Sequence, residues 1–435
     1  MDFTEEACYA VPMEKNPDIE RCRRRALDAL KPTAAQLERG LELHRACVVV
    51  DAFGFAPGPM TAGIVRELNA AAAAGATPGG LAEMLADLRA REPEAVAQYL
   101  EAWEASGVTG VIQNAGVTAG GGLSAHALRF LDLFRRVAPR VAQARNPEEI
   151  LAAKRRGRHA VVFSYNSVPH GPLAGAEEAA APLRTAWEAG VRMMHLAYNR
   201  RNLIADGCME RADAGLSEFG FDILRRMNEI GILVDAAHTG RRSTLDAARA
   251  STRPIVASHT GCRAVYDHPR NKTDQELRAV ADTGGFVGIY QPASFLGRKA
   301  DLNTWLDHVA HAVRVAGAEH VAVASDTGYI APFPPGCAPC TALRDLAHPW
   351  VRAMAAARGE PGVGPAPLPY SGAWKPEHGM DASDDERTGS LTWTNWPLFT
   401  VGLVTRGYSD AEIEKIIGGN ALRVLETACP DEKNL

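Results

Sequence analysis

The chain has 435 residues, 46% of them hydrophobic, with 47 Lys plus Arg against 52 Asp plus Glu and a formal net charge of −5. That is ample material for a large core, and without a basic run it excludes nucleic acid and anionic membrane as expected partners. The acidic start Met1-Asp-Phe-Thr-Glu-Glu6 lacks the build of a signal peptide, and no apolar run reaches the roughly 18 residues of a membrane span, so a cytoplasmic protein with reduced thiols is expected.

Residues 1–45 read as polar and helical, with helix-compatible spacing over 20–30 and 33–44. Ala46-Cys-Val-Val-Val-Asp51 is a strand. Residues 56–106 hold an Ala-rich segment over 60–74, a Gly/Pro break at 75–80 and a helix over 81–105, an insertion that suits a lid over a barrel mouth. A second strand over 107–114 precedes a helix over 125–144. The alternation then becomes regular. Strands at 159–166, 191–198, 231–238, 254–259, 285–290 and 320–326 are separated by helices near 177–189, 217–230, 243–250, 273–283 and 302–317. Residues 327–392 are Pro- and Gly-rich and read as an irregular insertion. Two helices, 395–406 and 409–427, close the chain, the second opened by the capping signature Ser409-Asp-Ala-Glu412. Eight strands alternating with helices predict an α/β fold, a single (β/α)8 TIM barrel over residues 1–435 with an N-terminal helical extension, whose active site lies where the strands end.

The stretch Gly231-Ile-Leu-Val-Asp-Ala-Ala-His238 is a buried parallel strand delivering a polar side chain at its end, and Pro254-Ile-Val-Ala-Ser-His259 repeats the device. Either histidine alone reads as a structural residue; the repeat points to a metal or acid–base pair. The strand-end rule adds 51–55, Gln113, Asn114, Tyr165, Asn166, Tyr198, Asn199, Tyr290, Gln291 and Asp326. Asp326 closes an apolar strand, where a carboxylate needs a metal, an arginine or a substrate beside it. His238, His259 and Asp326 make a plausible facial N, N, O set for zinc or a similar ion. Arg270, beyond the His259 strand, suits a carboxylate clamp or a loop salt bridge. His195, counted by alternation from Tyr198, is expected to face the helices. His170, His268, His308, His311, His348 and His378 fall on loops or helix faces and receive no chemistry. Cys337-Ala-Pro-Cys340 is one lone pair, weak evidence for zinc.

These stretches together resemble the membrane (renal) dipeptidase family, zinc-dependent dipeptidases of the amidohydrolase type on a (β/α)8 barrel. The resemblance runs from about residue 45 to 428 and is carried by Val191-Arg-Met-Met-His-Leu-Ala-Tyr-Asn-Arg-Arg-Asn202, Asp206-Gly-Cys208, Asp213-Ala-Gly-Leu-Ser-Glu-Phe-Gly220, Leu233-Val-Asp-Ala-Ala-His-Thr-Gly240, Pro254-Ile-Val-Ala-Ser-His259, His268-Pro-Arg-Asn271, Ala324-Ser-Asp326, Gly402-Leu-Val-Thr-Arg-Gly-Tyr-Ser-Asp410 and Gly418-Gly-Asn420. It implies metal ligands at His238, His259 and Asp326 and a substrate-carboxylate arginine at Arg270. It also shows a departure. The family's His-x-Asp pair falls on Phe53 and Phe55, its bridging Glu on Asn166, and its substrate-binding His on Tyr198. Two phenyl rings cannot bind zinc, and a neutral amide cannot bridge two ions.

A two-zinc centre is therefore not expected; at most one zinc or other divalent ion is. Three readings stay open: a one-metal hydrolase, a metal-free enzyme doing acid–base work in small-molecule catabolism or natural-product tailoring, and a non-catalytic small-molecule-binding protein. The first is the expectation. It is a dipeptidase-like hydrolase cutting an amide or peptide-like bond of a small carboxylate-bearing substrate. His238 and His259 hold the ion, and Asp326 is a ligand or proton acceptor. Tyr198 donates to the oxyanion and Asn166 orients substrate or water. Arg270, Phe53, Phe55 and Tyr290 bind the substrate. A homodimer is expected from base rates alone.

Overall fold

The computed structural model describes residues 16–137, 140–169, 176–298, 300–347 and 389–429, with isolated positions between 353 and 364. His170, His348, His378 and most of the expected irregular insertion lie outside these residues. Among the described residues there are nine strands: β1 (Val50–Asp51), β2 (Gly110–Asn114), β3 (Val141–Ala144), β4 (His159–Tyr165), β5 (Val191–His195), β6 (Leu233–Asp235), β7 (Ile255–Thr260), β8 (Phe286–Ile289) and β9 (Val321–Val323). Eight of them pair in the order β1-β2-β4-β5-β6-β7-β8-β9, every pair parallel, and β3 lies beside the first half of β4. Backbone bonds from Ala52 N to Val323 O (3.0 Å) and from Asp326 N to Phe53 O (2.8 Å) bring the last strand against the first. This is the expected (β/α)8 barrel.

The strands are buried on both faces, which is why they read as continuous apolar runs rather than alternating ones. Val111, Val161, Phe163 and Val234 pack outward with the helices, whereas Ile112, Val162, Met193, Leu233, Val256 and Phe286 form a separate inner cluster. The last helix, Asn420–Ala428, contributes Ala421, Val424 and Leu425 to that inner cluster and so plugs the barrel at the end where the strands begin. Asn420 Nδ2 secures it by donating to Ala318 O and Val321 O, both at 2.8 Å.

Local signals account for most boundaries and for the misreadings. The helix expected over 81–105 is two, Pro78–Arg91 and Pro93–Ser106, because Pro93 cannot continue the first and pre-sets the turn of the second. The helix expected over 125–144 stops at Val137, and 141–144 is β3. An unforeseen helix, Pro147–Arg155, is announced by Asn146, whose side chain caps Glu149 N at 2.9 Å, with Pro147 at the first turn. The Ser409–Glu412 capping box forms as expected, but its helix is interrupted by a π turn over Lys415–Gly419. There Gly418 meets the carbonyl of Val48 so closely that a Cβ would lie 2.0 Å from that oxygen. No helix among the described residues is long and apolar enough to cross a membrane.

Candidate metal centre

Three imidazoles meet at the barrel mouth. β5 ends on His195, inward like Met193 two residues before it and wholly buried. β6 ends on Asp235, and Ala236-Ala237 carry the chain to His238, which is 5% exposed. β7 shifts register between Ala257 and Thr260, which lets the consecutive Ser258 and His259 both reach the centre. The His195 ring lies 5.3 Å from both the His238 and the His259 ring, and one nitrogen from each of the three falls within 4.8 Å of the other two. The expectation for His195 is thus corrected. Alternation was counted back from Tyr198, but the strand stops at His195 and Tyr198 belongs to the turn beyond it.

The partners of the rings fix their tautomers. His238 Nδ1 faces Asn199 Oδ1 at 2.7 Å, an acceptor only, so Nδ1 carries the hydrogen. His259 Nδ1 lies 2.7 Å from Ser258 Oγ, whose own hydrogen goes to Asp235 Oδ2, so this Nδ1 also donates. Both Nε2 atoms are left with bare lone pairs, and they lie 2.9 Å apart. Two lone pairs at that distance repel unless a proton or a cation sits between them. Burial first, then the charge of Arg270, holds both imidazoles well below their ordinary protonation range, which disfavours the proton. Nitrogens sharing one tetrahedral zinc at about 2.1 Å each stand roughly 3.4 Å apart, so an opening of this pair by about half an ångström fits the donor set to a divalent ion.

Asp235 is wholly buried, and burial pushes its carboxyl up; the neighbouring His195 and Ser258 outweigh that and hold it below the usual range. Its Oδ1 accepts from Ala237 N and Ser258 N, both at 2.9 Å. Asp235, Ser258 and Asn199, which orient the ligands, were not singled out for that role from sequence; the Asp-x-x-His and Ser-His spacings were the signal.

The remaining expected residues divide. Asp326, at φ +50°, places Oδ1 3.8 Å from His259 Nε2 and does not join the compact set of three. Burial pushes its carboxyl up to about 7 against the pull of Arg270 and His195. Tyr198 stacks on His238 at 4.1 Å, and burial pushes its phenol up to about 12, so it keeps its hydrogen. Arg270 is 1% exposed; Nη1 donates to Ala237 O and Nη2 to His259 O at 2.8 Å, while Nε is buried with no partner. Tyr290 lies apart from the mouth: its ring is under the Arg270 guanidinium at 5.4 Å and its hydroxyl donates to Asn271 Oδ1, so it supports Arg270. Phe53 stacks on His259 at 4.0 Å and meets Phe55 edge-on at 5.8 Å. Asn166 Oδ1 is buried without a hydrogen-bond partner, as are Asn114 Oδ1 and Ser164 Oγ on the same strand ends. Cys337 and Cys340 are free thiols.

Comparison with known proteins places this geometry. The chain is 34% identical over 170 residues to an uncharacterized dipeptidase of Schizosaccharomyces pombe, covering 38% of this chain and 42% of that one. It is 26% identical over 302 residues to dipeptidase verJ of Clonostachys rogersoniana, covering 68% and 62%. It thus spans about half the length of the curated relatives it matches. A crystal structure of an amidohydrolase from Pseudomonas aeruginosa shares the fold with a TM-score of 0.60 at 22% identity, over 90% of this chain and 99% of that one. Residues 125–353, just over half of the sequence, match the family described as membrane dipeptidase, peptidase family M19, and the chain belongs to that family.

Proposed function

We propose that the protein is a dipeptidase-like hydrolase that uses one divalent ion to cut an amide or peptide-like bond in a small carboxylate-bearing substrate. The observation that carries this reading is the pair of bare Nε2 atoms converging at 2.9 Å, each ring braced from behind by an acceptor. Family membership and the dipeptidase names of its relatives support the reaction class. His238 and His259 would hold the ion. Its chemistry, when bound, is to polarise a carbonyl and to acidify water.

The chain's own residues supply the rest. The guanidinium edge of Arg270 not spent on carbonyls takes the substrate carboxylate. Tyr198, protonated at neutral pH and stacked on His238, donates to the developing oxyanion. Asp326 beside His259 accepts a proton. The unpaired Asn166 Oδ1 orients an N–H of the substrate or a water. Phe53 and Phe55 form an apolar wall and shed water from that side.

The test is hydrolysis of a dipeptide panel by the purified full chain, with elemental analysis of the same sample. Chelator-sensitive release of amino acids at about one metal per chain is expected. Folded protein that hydrolyses dipeptides equally well without any metal would overturn the reading.

A further inference from the structure

We infer that the third protein ligand of the ion is His195, so that the centre is held by three imidazoles and Asp326 stays outside its coordination shell. This rests on the one-ion reading above. It concerns how a site stripped of its other ligands still holds a cation.

Two imidazoles alone make a weak site, and catalytic zinc ordinarily has three protein ligands. Four positions that could supply more are closed. Phe53 and Phe55 are hydrocarbon, Asn166 is a neutral amide, and Asn199 is spent on His238 Nδ1. Two candidates remain. Asp326 sits 3.8 Å from His259 Nε2 on a turn residue with positive φ. His195 sits on the end of a strand, wholly buried, with its ring equidistant from the other two. Only the three histidines form a compact set of ligand atoms among the described residues.

The partners of His195 point the same way. Nδ1 faces the carbonyl of Tyr165 at 3.3 Å, an acceptor, so Nδ1 carries the hydrogen and Nε2 the lone pair. Asp235 Oδ2 lies 2.9 Å from Nε2 but out of line for a hydrogen bond, and Nε2 is among the buried atoms without such a partner. The same carboxylate accepts from Ala237 N and Ser258 N on Oδ1 and from Ser258 Oγ on Oδ2, which leaves one lone pair of Oδ2 turned toward Nε2. A buried nitrogen beside an anion calls for positive charge, which a proton or a metal ion supplies, and only the metal ion is also met by the two Nε2 atoms of His238 and His259. The same Asp235 reaches His259 through Ser258, so one carboxylate braces two of the three ligands.

Metal-free full-length protein titrated with cobalt(II) chloride provides the experiment. The wild type is expected to bind one equivalent with the visible ligand-field absorption of a four-coordinate site. His195→Ala and the bulkier His195→Gln, each shown by thermal melting to be folded, are expected to lose more than about 100-fold in cobalt affinity. Asp326→Asn is expected to keep the stoichiometry and the spectrum. X-ray absorption on zinc-loaded wild type, which needs no variant, is expected to show three imidazoles. Unaltered binding in the His195 variants with loss in Asp326→Asn, or two imidazoles by X-ray absorption, overturns the assignment of His195 and leaves the one-ion reading standing. A buried His195–Asp235 ion pair with no ligand role would give the same result. No cobalt bound by folded wild type sinks both.

Discussion

At the scale of single residues, three buried histidines meet at the barrel mouth with two phenylalanines beside them. Phe53 stacks on the face of the His259 ring at 4.0 Å. The triple variant Phe53→His, Phe55→Asp, Asn166→Glu returns the family's missing donors. Zinc content by elemental analysis is expected to rise from one toward two per chain, at a cost of about 3 kcal/mol in stability for the lost phenyl packing. A content fixed at one would mean that the side chains are not what limits this half. Much of the site is legible in sequence because its polar side chains close apolar strands: His238, His259 and Asp326 do come to one mouth. His195 was not legible, since its inward direction depends on where β5 ends, and no residue between His195 and Tyr198 marks that end. Asp235 reads in sequence only as the end of a strand, and its task shows once Ser258 and His195 stand beside it.

Among the elements, buried histidines join helices that are far apart in sequence. His44, in the helix Ala34–Ala46, faces Thr400 Oγ1 and the carbonyl of Ser106, both at 2.8 Å. His308, in the helix Leu302–Ala316, accepts from Cys262 N at 2.9 Å through Nδ1 and donates to Leu296 O at 2.9 Å through Nε2. Burial lowers both to about 4. Each is neutral in the folded protein, so the unfolded chain takes up the proton first. Stability from these two sites is complete above about pH 6.5 and drains away as pH falls toward 4, by about 3 kcal/mol for each. Denaturant midpoints at pH 7.5 and pH 5 measure the loss; His44→Gln is expected to flatten the slope by one proton, and an unchanged slope would show that His44 does not contribute. Element types were readable from strand–helix rhythm and caps. The failures fall where a punctuating residue outweighs the apolar pattern, as with Pro139 two positions after Val137 and with the capping pair Asn146-Pro147.

Across the whole molecule, the barrel is sealed by residues distant from the strands they seal. Asp51 Oδ1 accepts from Ser325 N at 2.7 Å and Oδ2 from Trp393 Nε1 at 2.9 Å, joining β1 to β9 and to the closing segment. The plug helix Asn420–Ala428 completes the inner core. Protein ending at residue 388 lacks both, and calorimetry of that truncation is expected to show no cooperative transition; a single sharp melt near that of the full chain would contradict the sealing role.

The Asp51–Trp393 bond, which spans 342 positions, also sets a timetable. On the ribosome, β1 emerges early and finds β2, but its other edge stays open until β9 has been made, and its buried carboxylate gains Ser325 only then and its last donor only when Trp393 follows. For most of translation the nascent polypeptide is an unclosed sheet with a sticky border, the state that chaperones shelter and proteases sample. Yield in a cell should therefore depend on chaperone supply more steeply than the strength of the finished barrel would suggest.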